Sequence, residues 1–288
     1  MLTLPFSAMP LRELSCAELA LNPAPAQSML PHMLSFSPME AQDILLLCAL
    51  FFGVATLYTT VGHAGASGYL AVMALVGVAP FVMRPTALIL NILVASLTVY
   101  RFRKARFFSW SGLWPFLLGS IPLAALGGMQ NLPRESYYAA VGTVLLLSAL
   151  YLVWRAFGST TTMEEGVNRV KKLPAVFIGA IIGLISGLTG TGGGIFLSPF
   201  ILFLGWAGPK TTAGIAAPFI LVNSTVALLA GSITAQMIRV EISFFAASAL
   251  CGAMLGTWLG LQKLQQRGLL ITLAIVMTMA GFKLLLTA

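Results

Sequence analysis

The chain has 288 residues, of which 58% are hydrophobic and only 8% charged. A soluble domain carries about 25% charged residues, so this composition excludes an ordinary soluble enzyme and points to segments solvated by lipid. The formal charge of +8 marks topology rather than nucleic-acid binding, because the basic residues cluster between apolar runs and no aromatic-basic motif accompanies them.

Residues 1–38 contain Pro5, Pro10, Pro23, Pro25, Pro31 and Pro38. They lack the charged start and apolar run of a cleaved signal peptide and read as a poorly ordered leader. Met29, Met33 and Met39 offer alternative starts. Ten apolar segments follow, near 43–61, 67–83, 86–100, 110–128, 136–157, 174–188, 194–206, 212–231, 242–260 and 268–286. The second and seventh are short, roughly 20–25 Å as helix, and each follows a glycine-rich stretch. The polar linker 158–173 separates a first transmembrane repeat, 39–157, from a second, 174–288.

The halves align. A shift of 132 residues places Asn91 on Asn223, Ala95 on Ala227, Ala124 on Gly256 and Gly128 on Gly260. A shift of 128 places GHAGA (62–66) on GTGGG (190–194). Each half therefore runs glycine break, short segment, Asn-bearing segment, then a segment with small residues every fourth position. Paired short, glycine-interrupted segments are the sequence pointer to a secondary transporter's binding site. The expected fold is an all-α polytopic membrane protein of about ten transmembrane segments. They form two five-segment repeats of inverted topology, with a short broken helix in each half. RFRKAR (101–106) and the central linker carry the basic residues expected on the cytoplasmic side. Eight crossings with two re-entrant segments fit the charge distribution equally well.

The break SGLTGTGGGIFLSP (186–199) is the candidate site. A P-loop would need Lys followed by Ser or Thr after the last glycine, and Ile195-Phe196 stands there. In a membrane, broken helix is tolerated only where protein or water surrounds it. The break exposes first-turn N–H groups, which with the helix dipole favour an anion. Gly190, Thr191, Gly192, Gly193 and Gly194 are the candidate ligands, with hydroxyl donors expected from Thr189, Thr191 and Ser198. Gly183 and Gly187 read as helix-packing positions, as do Gly252, Gly256 and Gly260.

In the first half Gly62, His63 and Gly65 take the matching place. His63 is the only histidine in the apolar part, able to bind an anion or relay a proton. The alternative for it is a neutral, hydrogen-bonded histidine at a helix end. Asn91 and Asn223 are candidate ligand contacts, one from each half, against the alternative of interhelical hydrogen bonds. Arg84 and Lys210 read as interface markers.

No metal cluster is expected from three scattered cysteines and two histidines, and no nucleotide motif suggests a cofactor or ATP. Two other function classes compete. One is an anion channel or sensor using the same site. The other is an intramembrane serine protease built on GASG (65–68), whose Ser67 would need a facing base.

The stretch GLISGLTGTGGGIFLSPFIL (183–202), followed by a short connection and an Asn-bearing span, resembles the TauE/SafE family of sulfite and sulfonate exporters. The resemblance covers roughly residues 43–287, and its first copy around Asn91 is the weaker. It implies a bacterial inner-membrane exporter of a small anion such as sulfite, sulfoacetate or thiosulfate, with lipid as its surroundings and protons as a candidate coupling ion. It implies a substrate role for Gly190, Thr191, Gly192, Gly193 and Gly194, extended to Gly62, His63 and Gly65. His63 departs from the glycine- and threonine-rich pattern of the second copy. The oligomeric state is not set by any of these features.

Overall fold

The computed structural model describes residues 41–157, 170–231, 241–261 and 267–288. The expected leader, 1–38, and most of the linker lie outside the described residues. Among the described residues all regular structure is helical: α1 (Ala41–Thr60), α2 (Ala66–Val76), α3 (Pro80–Lys104), α4 (Trp110–Met129), α5 (Arg134–Phe157), α6 (Lys172–Thr189), α7 (Gly194–Phe203), α8 (Pro209–Ala230), α9 (Ile242–Leu261) and α10 (Arg267–Thr287). Helices α3, α4, α5, α6, α8 and α9 are long and apolar enough to cross a membrane. Large apolar side chains cover the outside, with Leu118, Ile181, Phe203 and Leu229 all exposed. In water that surface would be a liability; against lipid it is ordinary.

The two short helices are shorter than their apolar runs suggest. Helix α2 has 11 residues and α7 has 10, about 16 Å and 15 Å long at 1.5 Å per residue. The second expected segment, 67–83, is in fact two elements. Gly77, at φ 86°, ends α2 with its N–H donating to Met73 O and Ala74 O. Pro80 then opens α3 at its first turn, where a missing N–H costs nothing. The seventh expected segment, 194–206, ends at Phe203. Gly205, at φ 63°, reverses the chain and returns Trp206 to the core, where its ring meets Phe116.

Glycine sets how the long helices pack. A Cβ on Gly179, Gly183 or Gly187 of α6 would overlap the backbone oxygens of Phe116, Ser120 or Ala124 of α4. A Cβ on Gly252, Gly256 or Gly260 of α9 would overlap those of Phe52, Thr56 or Thr60 of α1. Both contacts are backbone against backbone, the closest approach small residues allow.

Exchanging the halves maps several helix contacts onto one another. Helix α1 packs on α9 as α6 packs on α4. Helix α3 meets α9 as α8 meets α4, and α2 meets α10 as α7 meets α5. Two further pairs, α3 with α8 and α5 with α10, join like to like.

Candidate functional site

Each break is made by glycines in the left-handed region, which L side chains adopt only with strain. At the end of α1, Gly62 stands at φ 81°. Its N–H donates to Thr59 O and that of His63 to Tyr58 O, the paired bonds of a Schellman cap. At the end of α6, Gly190 stands at φ 83° and its N–H donates to Ser186 O alone. That simpler cap leaves the following carbonyls open. Other helices supply donors. The Arg84 guanidinium on α3 donates to Gly187 O at 2.7 Å, and Tyr137 on α5 donates to Thr189 O at 3.3 Å. The same Arg84 also donates to Gly127 O, Gly128 O and Gln130 O at the end of α4. One half-buried cation thus ties together two helix C-termini, where the partial charge is negative.

The start of each short helix offers donors. Gly65, at φ 99°, precedes α2, and Gly193, at φ 76°, precedes α7. Phe196 and Leu197 donate to Gly193 O. That leaves Gly194 and Ile195, the first two residues of α7, without a backbone acceptor among the described residues. Tyr69 donates to Gly65 O, and Ala66, Ser67 and Gly68 stand in the same position in α2. All residues of both breaks, 61–68 and 189–195, are buried.

His63 joins the two breaks. Its Nε2 lies 3.0 Å from Gly194 O and 3.0 Å from Ser198 Oγ, both in the first turns of α7. A carbonyl oxygen can only accept, so Nε2 carries the hydrogen and Ser198 Oγ is its second acceptor. A nucleophilic serine needs the opposite polarity, with the ring nitrogen taking its proton. Ser67, the serine of GASG, is hydrogen-bonded to Tyr58 at 2.7 Å. His63 points away to α7, so the protease arrangement is absent.

The structure brings most of the expected residues together. Gly192 lies against α3 and α8: a Cβ there would collide with Asn91 Nδ2 and come within 2.9 Å of Ile220 and Ser224. Asn91 Nδ2 donates to Ser224 Oγ at 3.2 Å, across the α3–α8 contact. Gly193 faces Ile182, Ser186 and Phe219. Gly62 abuts Ala213 of α8, and Gly194 abuts Ile220 of the same helix. Asn223 lies one turn beyond Phe219 and donates from Nδ2 to its carbonyl at 2.9 Å. A Cβ on Gly65 would first meet Tyr69 and Val54, both of its own half.

Two expectations change. Thr189 donates to Ile185 O, so in its 3.0 Å bond with Thr191 it must accept. Both hydroxyl hydrogens are therefore committed, and neither threonine is the free donor the sequence suggested. Arg84 is not an interface marker; it braces the break. Its sequence signal was weak, because nothing in the run VMRPTA distinguishes a guanidinium that turns inward from one that turns to the surface. Tyr137 gave no signal at all.

Long apolar helices, with two half-length helices that begin at buried glycine breaks, are the architecture of a multi-pass membrane protein. The family model described as "Sulfite exporter TauE/SafE" matches residues 45–284. The chain belongs to that family. It is also 36% identical over 251 residues to "Probable membrane transporter protein y4hK" of Sinorhizobium fredii (strain NBRC 101917 / NGR234), covering 86% of this chain and 100% of that protein. No solved structure gives a significant match.

Proposed function

We propose that this chain is a secondary transporter that exports a small sulfur-containing oxyanion, such as sulfite, an organosulfonate or thiosulfate, across the bacterial inner membrane. The observation that carries the reading is the bond from His63, in the first break, to Gly194 and Ser198, at the start of α7. It ties the first break to the start of α7, whose first-turn N–H groups lack backbone acceptors among the described residues. Such groups and their dipoles favour an anion, and charged acceptors strengthen each bond about two-fold. Glycine at 192–194 lets the ligand reach the backbone.

The substrate residues are Gly190, Thr191, Gly192, Gly193 and Gly194 with Gly62, His63, Gly65, Asn91 and Asn223. Gly190 and Gly62 shape the breaks, and Thr191 acts as an acceptor. The exchange of contacts between halves supports two five-helix repeats, to which we assign inverted topology, with α2 and α7 as the short broken helix of each half. Because both breaks are closed to the outside, transport proceeds by alternating access, driven by the proton gradient or by the anion's own gradient.

Purified protein in proteoliposomes tests this. Sulfite efflux that saturates with concentration and responds to an imposed gradient is the expected result. Flux that rises without saturation would indicate a channel and sink the transporter reading. A thermal-shift panel of sulfite, thiosulfate, sulfoacetate, taurine and sulfate tests the site itself. No stabilisation by any of them would count against an anion ligand.

A further inference from the structure

Resting on the reading that the two breaks hold a small oxyanion, we infer that the anion must itself carry a hydrogen-bond donor, which the amide oxygens of Asn91 and Asn223 accept. Both side chains are 0% exposed, and Oδ1 of each has no hydrogen-bond partner. A buried acceptor left unpaired costs about 1–3 kcal/mol, and here two occur at matched positions on α3 and α8. The orientation of Asn223 is set by its partner: Phe219 O can only accept, so Nδ2 faces it and Oδ1 faces away. Asn91 donates to Ser224 across the α3–α8 contact, while Asn223 lies on α8 one turn beyond Phe219, whose ring comes within 3.1 Å of the Cβ position of Gly193. Gly192 lies against Asn91 and Ser224, and Gly193 against Phe219, which puts Asn91 at the break and Asn223 one turn from it.

The surroundings are therefore mixed in polarity. The starts of α2 and α7 present N–H donors. Asn91, Asn223 and Thr191 present acceptors, Thr191 because its hydrogen is committed to Thr189. A fully deprotonated oxyanion with no other polar group brings acceptors alone. It would satisfy the N–H groups and set its oxygens against the amide oxygens. An anion bearing a hydroxyl, an amine or an acid proton satisfies both sets. Protonated sulfite and hydroxy- or aminoalkanesulfonates are of this class; sulfate, thiosulfate and simple alkanesulfonates are not. A bare cation would also satisfy the amide oxygens, but the positive end of α7 faces the same place.

The test compares isethionate (2-hydroxyethanesulfonate) with ethanesulfonate, which differs only by the missing hydroxyl. Binding of each to the purified full-length chain is measured by titration calorimetry, in sodium and in choline buffer. Isethionate is expected to bind about ten-fold more tightly, as one buried hydrogen bond warrants. In Asn223→Leu that ratio should fall towards one. The wild-type ratio decides the question even where the variant folds poorly. Equal affinities in the wild type would overturn this inference and leave the anion site standing. Binding that requires sodium would overturn it by assigning the amide oxygens to a cation. If no sulfonate and no sulfite binds, the proposed function fails with it.

Discussion

Gly192 tests the site at the scale of a single residue. It stands at φ 74°, where an L side chain costs about 1–2 kcal/mol, and its missing Cβ leaves room for Asn91 Nδ2. Gly192→Ala should keep the helical circular dichroism and lose the thermal stabilisation by sulfite. Stabilisation that survives the change would place the anion elsewhere. Arg84 makes a different claim, because its guanidinium serves four carbonyls at the ends of α4 and α6. Each carbonyl left unpaired costs about 1–3 kcal/mol. Arg84→Gln should therefore cut sulfite flux at least about ten-fold, with Arg84→Lys intermediate because an ammonium cannot span the same fork. Equal flux in all three proteins would remove Arg84 from the machinery. The glycines and both asparagines were legible in the sequence, since each is costly in lipid without a reason to be there. Arg84 and Tyr137 were not. Their importance depends on Gly190 forming a one-bond cap where Gly62 forms a two-bond cap, a difference of backbone geometry that composition does not encode.

At the scale of elements, the ten helices follow the apolar runs closely, because a run of apolar residues in lipid has few alternatives to helix. The boundaries that moved are those where a single glycine or proline acts: Gly77 and Pro80 divide one expected segment, and Gly205 shortens another. The small-residue ladders were read correctly as packing, but their partners could not be. Gly252, Gly256 and Gly260 lie on α1, in the other half of the chain. That contact is sensitive to one added side chain. Gly256→Val would drive its Cβ into Thr56 O and Thr59 Oγ1, and overpacking of this kind costs about 1–3 kcal/mol or more. It should lower the melting temperature in detergent by several degrees, read by fluorescence size-exclusion after heating. Gly53, on α1 itself, has nothing within 4 Å of its Cβ position. Gly53→Ala should leave melting unchanged or raise it slightly, since alanine favours helix by about 1 kcal/mol over glycine. A drop for Gly53→Ala matching that for Gly256→Val would mean that any added side chain on these helices destabilises them, and that the α1–α9 seam is not what makes Gly256 sensitive.

For the whole molecule, the closest contacts constrain what can move. Transport by rocking bundles suggests at first that one sequence half turns against the other. The packing opposes that picture. Helix α1 is seated on α9 and α6 on α4, backbone against backbone, so each tight pair draws one helix from each half. Pulling the halves apart would expose both glycine seams at once. If transport proceeds by the proposed alternating access, the moving bodies are interlaced: α1 travels with α9 and α4 with α6, and opening is expected between such pairs, around α3 and α8, beside the proposed site residues Asn91 and Gly192. Cross-linking separates the two pictures. Ser248 on α9 donates to Cys48 O on α1, so Ser248→Cys places a thiol beside a native cysteine. With Cys16 and Cys251 replaced by alanine, oxidation should join α1 to α9 within the chain. Saturable sulfite flux should then persist at close to the reduced rate, because a pair that never separates is indifferent to being tied. Flux that stops on oxidation and returns on reduction would mean that α1 and α9 part during each cycle, and that the halves themselves are the moving bodies.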